Sequence, residues 1–197
     1  MFDPGNVNVA APYFISGRSG VITGVASPNA IARLVQFGML DPRTPGAIVP
    51  TPIRISQIRM RFAPAAATTG GVVLELLKGT LPNPLTLPAQ HTTGGTLHLP
   101  QRRKTTGYPA IGATETSLYV STTGAITGGD TFTPLEAAAP IDILAVGAAA
   151  AETSAGHAVW TPSDLCGLTL EANEVLELRV VVFTASGTLL TAFDFLR

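Results

Sequence analysis

The C-terminal stretch, residues 167–197, constrains the fold more than any other part of the chain. Two apolar runs, residues 175–183 and 189–196, flank a short link of residues 184–188 that contains a Ser-Gly pair. Apolar runs of this length are typical of β-strands, and Ser-Gly in a short link is typical of a hairpin turn. The stretch therefore predicts a terminal β-hairpin.

Alternation within these runs predicts which side chains are buried. Leu176 and Leu178 fall on one face of a strand, and Glu177 and Arg179 fall on the other. A period of two is the pattern of a half-buried strand, with the charged side chains in water. Asp194 lies among apolar residues of the second run. We expect it to pair with an arginine such as Arg179 across the hairpin.

Similar strand signals recur along the chain at spacings of roughly ten residues. Residues 53–62 alternate from Ile58 onwards, with Arg59 and Arg61 facing outward, and residues 72–78 are expected to be their antiparallel partner. Shorter strand signals occupy residues 97–99, 117–121, 141–146 and 158–160. This pattern predicts an all-β fold, an antiparallel β-sandwich or jelly roll.

One short helix is predicted within this β-rich chain, over residues 28–38. Ser27 suits the N-cap, Pro28 suits the first helical position and Gly38 suits the C-terminal stop. A β-strand is the alternative, because residues 32–37 also alternate.

The domain organisation is predicted from changes in composition. Residues 1–30 have few large apolar side chains and are expected to form an extended N-terminal arm or edge strands, before a single sandwich domain of residues 31–197. The proline-interrupted loop of residues 79–109 is long for a compact domain, which is typical of a partner-binding segment. The arm and this loop supply the interaction candidates, which are Tyr13, Phe14, Arg102, Arg103 and Lys104.

The low charge content limits the function classes. Charged residues make up 13% of the chain, against about 25% in soluble globular domains. Either other subunits cover much of the surface, or the surface is neutral and rich in Thr, Ser and Gly. A net charge of −1 gives no support to nucleic-acid binding. No apolar stretch reaches the roughly 18 residues of a membrane span, and the N-terminal residues lack the pattern of a signal peptide.

Motifs that carry chemistry are missing from the sequence. Residues 17–20, GRSG, do not have the spacing of a nucleophile elbow, and phosphate-binding glycine motifs are absent. His91 and His98 are seven residues apart and His157 is remote, which does not match known zinc-site spacings. Cys166 is the single cysteine, so an internal disulfide is excluded. We therefore expect a protein that is not an enzyme and holds no cofactor or metal.

Residues 168–180, LTLEANEVLELRV, resemble the final strands of small virion structural proteins of tailed bacteriophages. In those proteins an L-x-L-x-x-N/G-E-x-L-x-L/V-R segment leads into the last hairpin. The charge-poor body, rich in Thr, Gly, Ala and Pro, is similar to that of capsid decoration (cement) proteins and minor capsid proteins. The resemblance implies a sandwich or jelly roll that forms homo-oligomers, often trimers, and binds the outer capsid lattice.

In functional terms the resemblance implies a structural protein that decorates and stabilises a viral capsid. Its partners would be the major capsid protein or other virion subunits, with no nucleic acid and no membrane, and it would be assembled in the host cytoplasm and located in the virion. The alternative is a tail-fibre or adhesin-type module that recognises a host surface glycan. Such a module needs exposed aromatic side chains, and only 6% of the residues are aromatic.

Overall fold

The computed structural model describes residues 12–25, 29–64, 70–80, 95–103, 107–122, 133–137, 141–146, 157–160 and 168–197. These residues form an antiparallel β-sandwich, which confirms the predicted all-β class. The strands are β1 (Tyr13–Arg18), β2 (Ile22–Val25), β3 (Asn29–Gln36), β4 (Met39–Leu40), β5 (Ile48–Val49), β6 (Ile53–Pro64), β7 (Gly70–Thr80), β8 (Gly95–His98), β9 (Gln101–Arg102), β10 (Thr116–Ser121), β11 (Thr133–Ala137), β12 (Ile141–Val146), β13 (His157–Trp160), β14 (Thr169–Leu170) and β15 (Glu174–Leu196). None of the described segments forms a helix with the length and apolarity of a membrane span.

Strand β15 belongs to both sheets of the sandwich. Its N-terminal half pairs with β3 on one side and β7 on the other, and its C-terminal half pairs with β1 and β6. The first sheet continues from β7 to β11 and β12, and from β3 through β10 to β8. The second sheet continues from β1 to β9, and from β6 to β13 and β14. Each sheet is therefore built outward from β15.

The predicted C-terminal hairpin is wrong, because its two apolar runs are the two halves of β15. The link of residues 184–188 lies within the strand, where the strand passes from one sheet to the other. Irregular pairing with β7 after Val180 and with β2 after Phe183 marks the bend. Bulges and bends of this kind form the corners at which strands change sheets. The Ser-Gly pair is thus at a corner and not in a turn.

The predicted helix is also wrong, and the strand alternative is confirmed. Residues 29–36 are β3, which lies between β15 and β10. Leu34 faces the core between the sheets, and Val35 is buried on the opposite face of the first sheet. Because both neighbours bond to the β3 backbone, tertiary pairing outweighs the local helix-capping signals.

One further sequence expectation needs correction. Strands β6 and β7 do not pair with each other, since β6 is in the second sheet, β7 is in the first, and each pairs with β15. Within residues 1–30, which were expected to be an arm or edge strands, β1 and β2 are strands that pair with β15. Strand β1 pairs with β15 along its whole length, and its Tyr13 and Ile15 are core residues. Residues 1–11 of the predicted arm lie outside the described residues.

The face that carries Glu177 is buried and not in water as predicted. Glu177 is only 1% exposed, and its carboxylate accepts hydrogen bonds from Arg33 and Arg179. Beside it, on the side of the first sheet away from the main core, lies a second apolar cluster: Ala30, Val35, Phe37, Tyr119 and Val175. Arg179 therefore pairs with Glu177 of its own strand. Asp194 pairs with arginines as expected, but these are Arg59 and Arg103 and not Arg179.

The two sheets approach closely where Gly17 of β1 faces the first sheet. A Cβ atom at Gly17 would lie 2.5 Å from Val120 Cγ2 and 2.6 Å from His98 Cδ2, so a side chain has no room there. His98 Nε2 is buried and has no hydrogen-bond partner in the described part of the chain. Desolvation lowers the pKa of His98 from its ordinary value of 6.5. The imidazole is therefore neutral at neutral pH.

We expect His98 to make the fold sensitive to acid. In the unfolded chain His98 is protonated as the pH falls below about 6.5, whereas in the folded chain it is protonated only at a lower pH. Because the unfolded state then binds more protons, the free energy of unfolding decreases as the pH falls below about 6.5. Urea unfolding at pH 7.5 and pH 5.5 measures this effect. The decrease in the free energy of unfolding between the two pH values should be larger in the wild type than in His98→Gln. An equal loss in both proteins would contradict this assignment.

Candidate functional site: the outer face of the second sheet

The outer face of the second sheet is built by the outward side chains of β1, β6 and the C-terminal half of β15. In each strand the alternate residues pack into the core, as Ile15, Met60 and Phe193 do. The outward residues then align across the strands because the ladders keep a regular register. The aligned rows are Arg18–Leu190–Arg61, Ser16–Ala192–Arg59 and Phe14–Asp194–Gln57.

Arginine dominates this surface, which we call the arginine face. Its exposed arginines are Arg18, Arg54, Arg59, Arg61 and Arg103. Among its described side chains Asp194 is the only carboxylate. The whole chain carries a net charge of −1, so the residues outside this face are acidic on balance. Positive charge is thus concentrated on one side of a nearly neutral protein.

One end of the arginine face is ordered around Asp194. Its Oδ1 atom accepts hydrogen bonds from Arg103 Nη2 at 2.7 Å and from Arg59 Nη2 at 3.1 Å. The Arg103 guanidinium also lies 5.0 Å from the centroid of the Phe14 ring, a cation–π contact. The Arg59 and Arg103 side chains are 44% and 38% exposed, so these pairs add little to stability. Their effect is to orient the two arginines.

The other three arginines of the face, Arg18, Arg54 and Arg61, make no ion pair with another described residue. Arg18 donates from Nε and Nη2 to Thr188 Oγ1, at 3.2 Å and 3.0 Å. Within the described residues, Arg54 and Arg61 have no hydrogen-bond or ion-pair partner. Leu190, next to Arg61 in the sheet, is 42% exposed. Two guanidinium groups and an apolar side chain are therefore open to a partner.

Of the predicted interaction candidates, one is buried, others are exposed, and one lies outside the described residues. Tyr13 is buried, where it stacks on Phe195 with ring centroids 5.6 Å apart and donates a hydrogen bond to the Pro109 carbonyl at 2.9 Å. Arg102 is exposed and donates to the Tyr108 carbonyl at 2.9 Å. Lys104 lies outside the described residues. Tyr13 is thus a core residue, and its burial leaves no surface for a partner.

Phe14 and Arg103 are the two predicted candidates that meet in the arginine face. They come together because β9 pairs with β1, with Gln101 opposite Phe14. No sequence pattern predicted that Arg18, Arg54, Arg59 and Arg61 belong to an interaction surface. The outward alternation of Arg59 and Arg61 was the available signal, and their exposure confirms that orientation.

Among the described residues, no group of three His, Cys, Asp or Glu side chains is placed to hold a metal ion. Comparison with models of protein families, with curated proteins and with solved structures found no match to this chain.

Proposed function

We propose that the protein is a structural virion subunit that decorates and stabilises a capsid. In this proposal the arginine face is the surface that contacts the shell, and the partner is the major capsid protein or another virion subunit. The resemblance of residues 168–180 to phage virion proteins favours this class and favours a homo-oligomer, often a trimer.

The arginine face is the observation that carries the proposal. Arginine is enriched in protein interfaces, where its planar group makes bidentate hydrogen bonds and packs on apolar surface. Here four exposed arginines stand on β1 and β6, the two strands that flank the C-terminal half of β15, and the exposed Arg103 directly follows β9. The backbone of such a sheet changes little on binding, so the entropy cost of ordering falls on the arginine side chains alone. A lattice protein repeats one contact many times and benefits from this rigid backbone.

The low charge content gives independent support. A charge content of 13% is unusual for a protein that is surrounded by water on all sides. A subunit that is covered on several sides by its own copies and by a shell needs fewer charges. An interface of standard size buries about 1,600 Å².

Immunogold electron microscopy tests the proposal. An antibody against this chain should label the heads of virus particles from cells that express the gene. Particles that carry Arg59→Gln/Arg61→Gln in place of the wild type should lose most of the label, whereas Arg43→Gln, an exposed arginine of the turn between β4 and β5, should leave it unchanged.

Two other outcomes would contradict the decoration role. Label confined to tails would favour the tail-fibre or adhesin alternative. Unlabelled particles, with the protein remaining in the soluble fraction, would overturn both virion roles.

A further inference from the structure

On the arginine face, shorter side chains along β15 lie between the arginines of the neighbouring strands, and we call this strip the trough. Its floor is the column of Leu190 and Ala192, and longer arginine side chains stand on the neighbouring strands, with Arg18 on one side and Arg59 and Arg61 on the other. The two flanking columns are two strand spacings apart, about 10 Å. From Thr188 to Asp194 the trough is about 20 Å long, at about 3.4 Å per residue.

We propose that this trough binds an extended acidic segment of another protein. The inference rests on the proposed function, because it names the chemistry of the partner at the same surface. Arg59 and Arg61 are two residues apart on one strand, so their Cα atoms repeat at about 7 Å. An extended partner segment presents alternate side chains at the same repeat. Carboxylates at alternate positions therefore match these arginines one to one.

The guanidinium groups of Arg59 and Arg61 define the recognition. Arg61 has no partner in the described part of the chain, and Arg59 uses one Nη2 donor on Asp194. Each group keeps donors for a carboxylate, and charge-assisted pairs of this geometry are the strong class of hydrogen bond. Leu190 lies between the two arginine columns and offers an apolar contact to the residues between the carboxylates.

Nucleic acid fits the same surface less well. Proteins that bind single strands combine basic grooves with aromatic side chains on which bases stack. Phe14, the aromatic residue of the arginine face among the described residues, is half-buried and lies against the Arg103 guanidinium. The observations thus favour a protein partner.

The experiment compares three anionic probes by fluorescence anisotropy with the full chain. The first is a peptide of about eight residues in which Glu and Thr alternate, a length set by the trough. The second peptide has the same composition, with all Glu residues in one block. The third is single-stranded DNA with the same number of charges. We expect the alternating peptide to bind best and its affinity to fall as salt is raised.

Variants then locate the binding. Arg59→Gln/Arg61→Gln should weaken binding of the alternating peptide by about tenfold or more, because two charge-assisted pairs are lost. The control Arg43→Gln should bind as the wild type does. All three arginines are exposed, so the thermal unfolding midpoint should be unchanged in these variants.

Each contrary result overturns the inference. Equal binding of both peptides would show that the repeat is not read, and tighter binding of DNA would identify a nucleic-acid surface. Salt-sensitive self-association that excludes the peptide would identify a second copy of the chain as the occupant. A failure here together with labelled virus heads would reject the acidic partner and leave the virion role intact. Unlabelled particles would reject the virion role whatever the peptides do.

Discussion

Gly187→Ala is expected to destabilise the whole sandwich by about 3 kcal/mol or more. A Cβ atom at this position would lie 2.5 Å from the Ala63 carbonyl oxygen and 2.5 Å from Phe62 Cζ. Neither neighbour can move cheaply, since Ala63 is backbone of β6 paired with β15 and Phe62 is fully buried. The bend of β15 would have to open, and that bend joins the two sheets.

Urea unfolding followed by circular dichroism measures this effect. The matched control is Gly112→Ala, where the added Cβ would lie 3.4 Å from Glu115 Oε2 in an exposed loop. The control should change the free energy of unfolding by less than about 1 kcal/mol. If Gly187→Ala were no more destabilising than the control, the close approach at the corner would be refuted.

Glu177→Ala is expected to destabilise the fold by about 3–5 kcal/mol, because it removes a buried carboxylate that accepts hydrogen bonds from Arg33 and Arg179. The Arg33 Nε atom lies 2.5 Å from Glu177 Oε2, and the two side chains are 7% and 1% exposed. Arg179 also donates to this carboxylate and is 22% exposed. Removal of Glu177 takes this carboxylate away from the buried Arg33 guanidinium, where little water can replace it.

A double variant separates the buried charge from the packing. Arg33→Met/Glu177→Leu removes both charges and keeps the volume, so it should be less destabilising than Glu177→Ala alone. The exposed Glu171 provides the control, and Glu171→Gln should change the unfolding free energy by no more than about 0.5 kcal/mol. If the single and the double variant lost the same free energy of unfolding, changed packing and not the broken Arg33–Glu177 ion pair would account for the effect.

The fold class was predictable from the sequence because alternation depends on local geometry. Ile58, Met60 and Phe62 face the core, and Arg59 and Arg61 face outward, as their spacing indicates. Pairing partners were not predictable in the same way. Two apolar runs joined by a short Ser-Gly link suit a hairpin or one bent strand equally well. The choice depends on which other strands are available to pair, and that information is spread over the whole chain.

Glu177 shows a second limit of pattern reading. A charged residue at alternate positions is normally assigned to water, since burial of a lone charge is costly. Here Arg33, 144 positions earlier in the chain, supplies the compensating charge. The β15–β3 ladder brings them together by placing Glu177 opposite Arg33. No local pattern contains this pairing.

The candidate site was only partly predictable for the same reason. Phe14 and Arg103 came from two segments that were assigned separately to an arm and a loop. Their meeting requires the pairing of β9 with β1, and their link to Arg59 passes through Asp194 of β15. Composition identifies the arginines as interface-type residues, but only the register places them on one face.

The position of β15 in both sheets has a consequence for how the protein is made. Strands β1, β3, β6 and β7 all precede β15 in the chain, and all four pair with it. During synthesis on a ribosome, neither sheet can be completed until β15 has emerged. Until then, the backbone groups of the earlier strands that bond to β15 remain unpaired. Folding is then dominated by long-range pairings, which are slow to form. Strand β15, which follows the four strands it pairs with, is thus the one that joins both layers into a single cooperative unit.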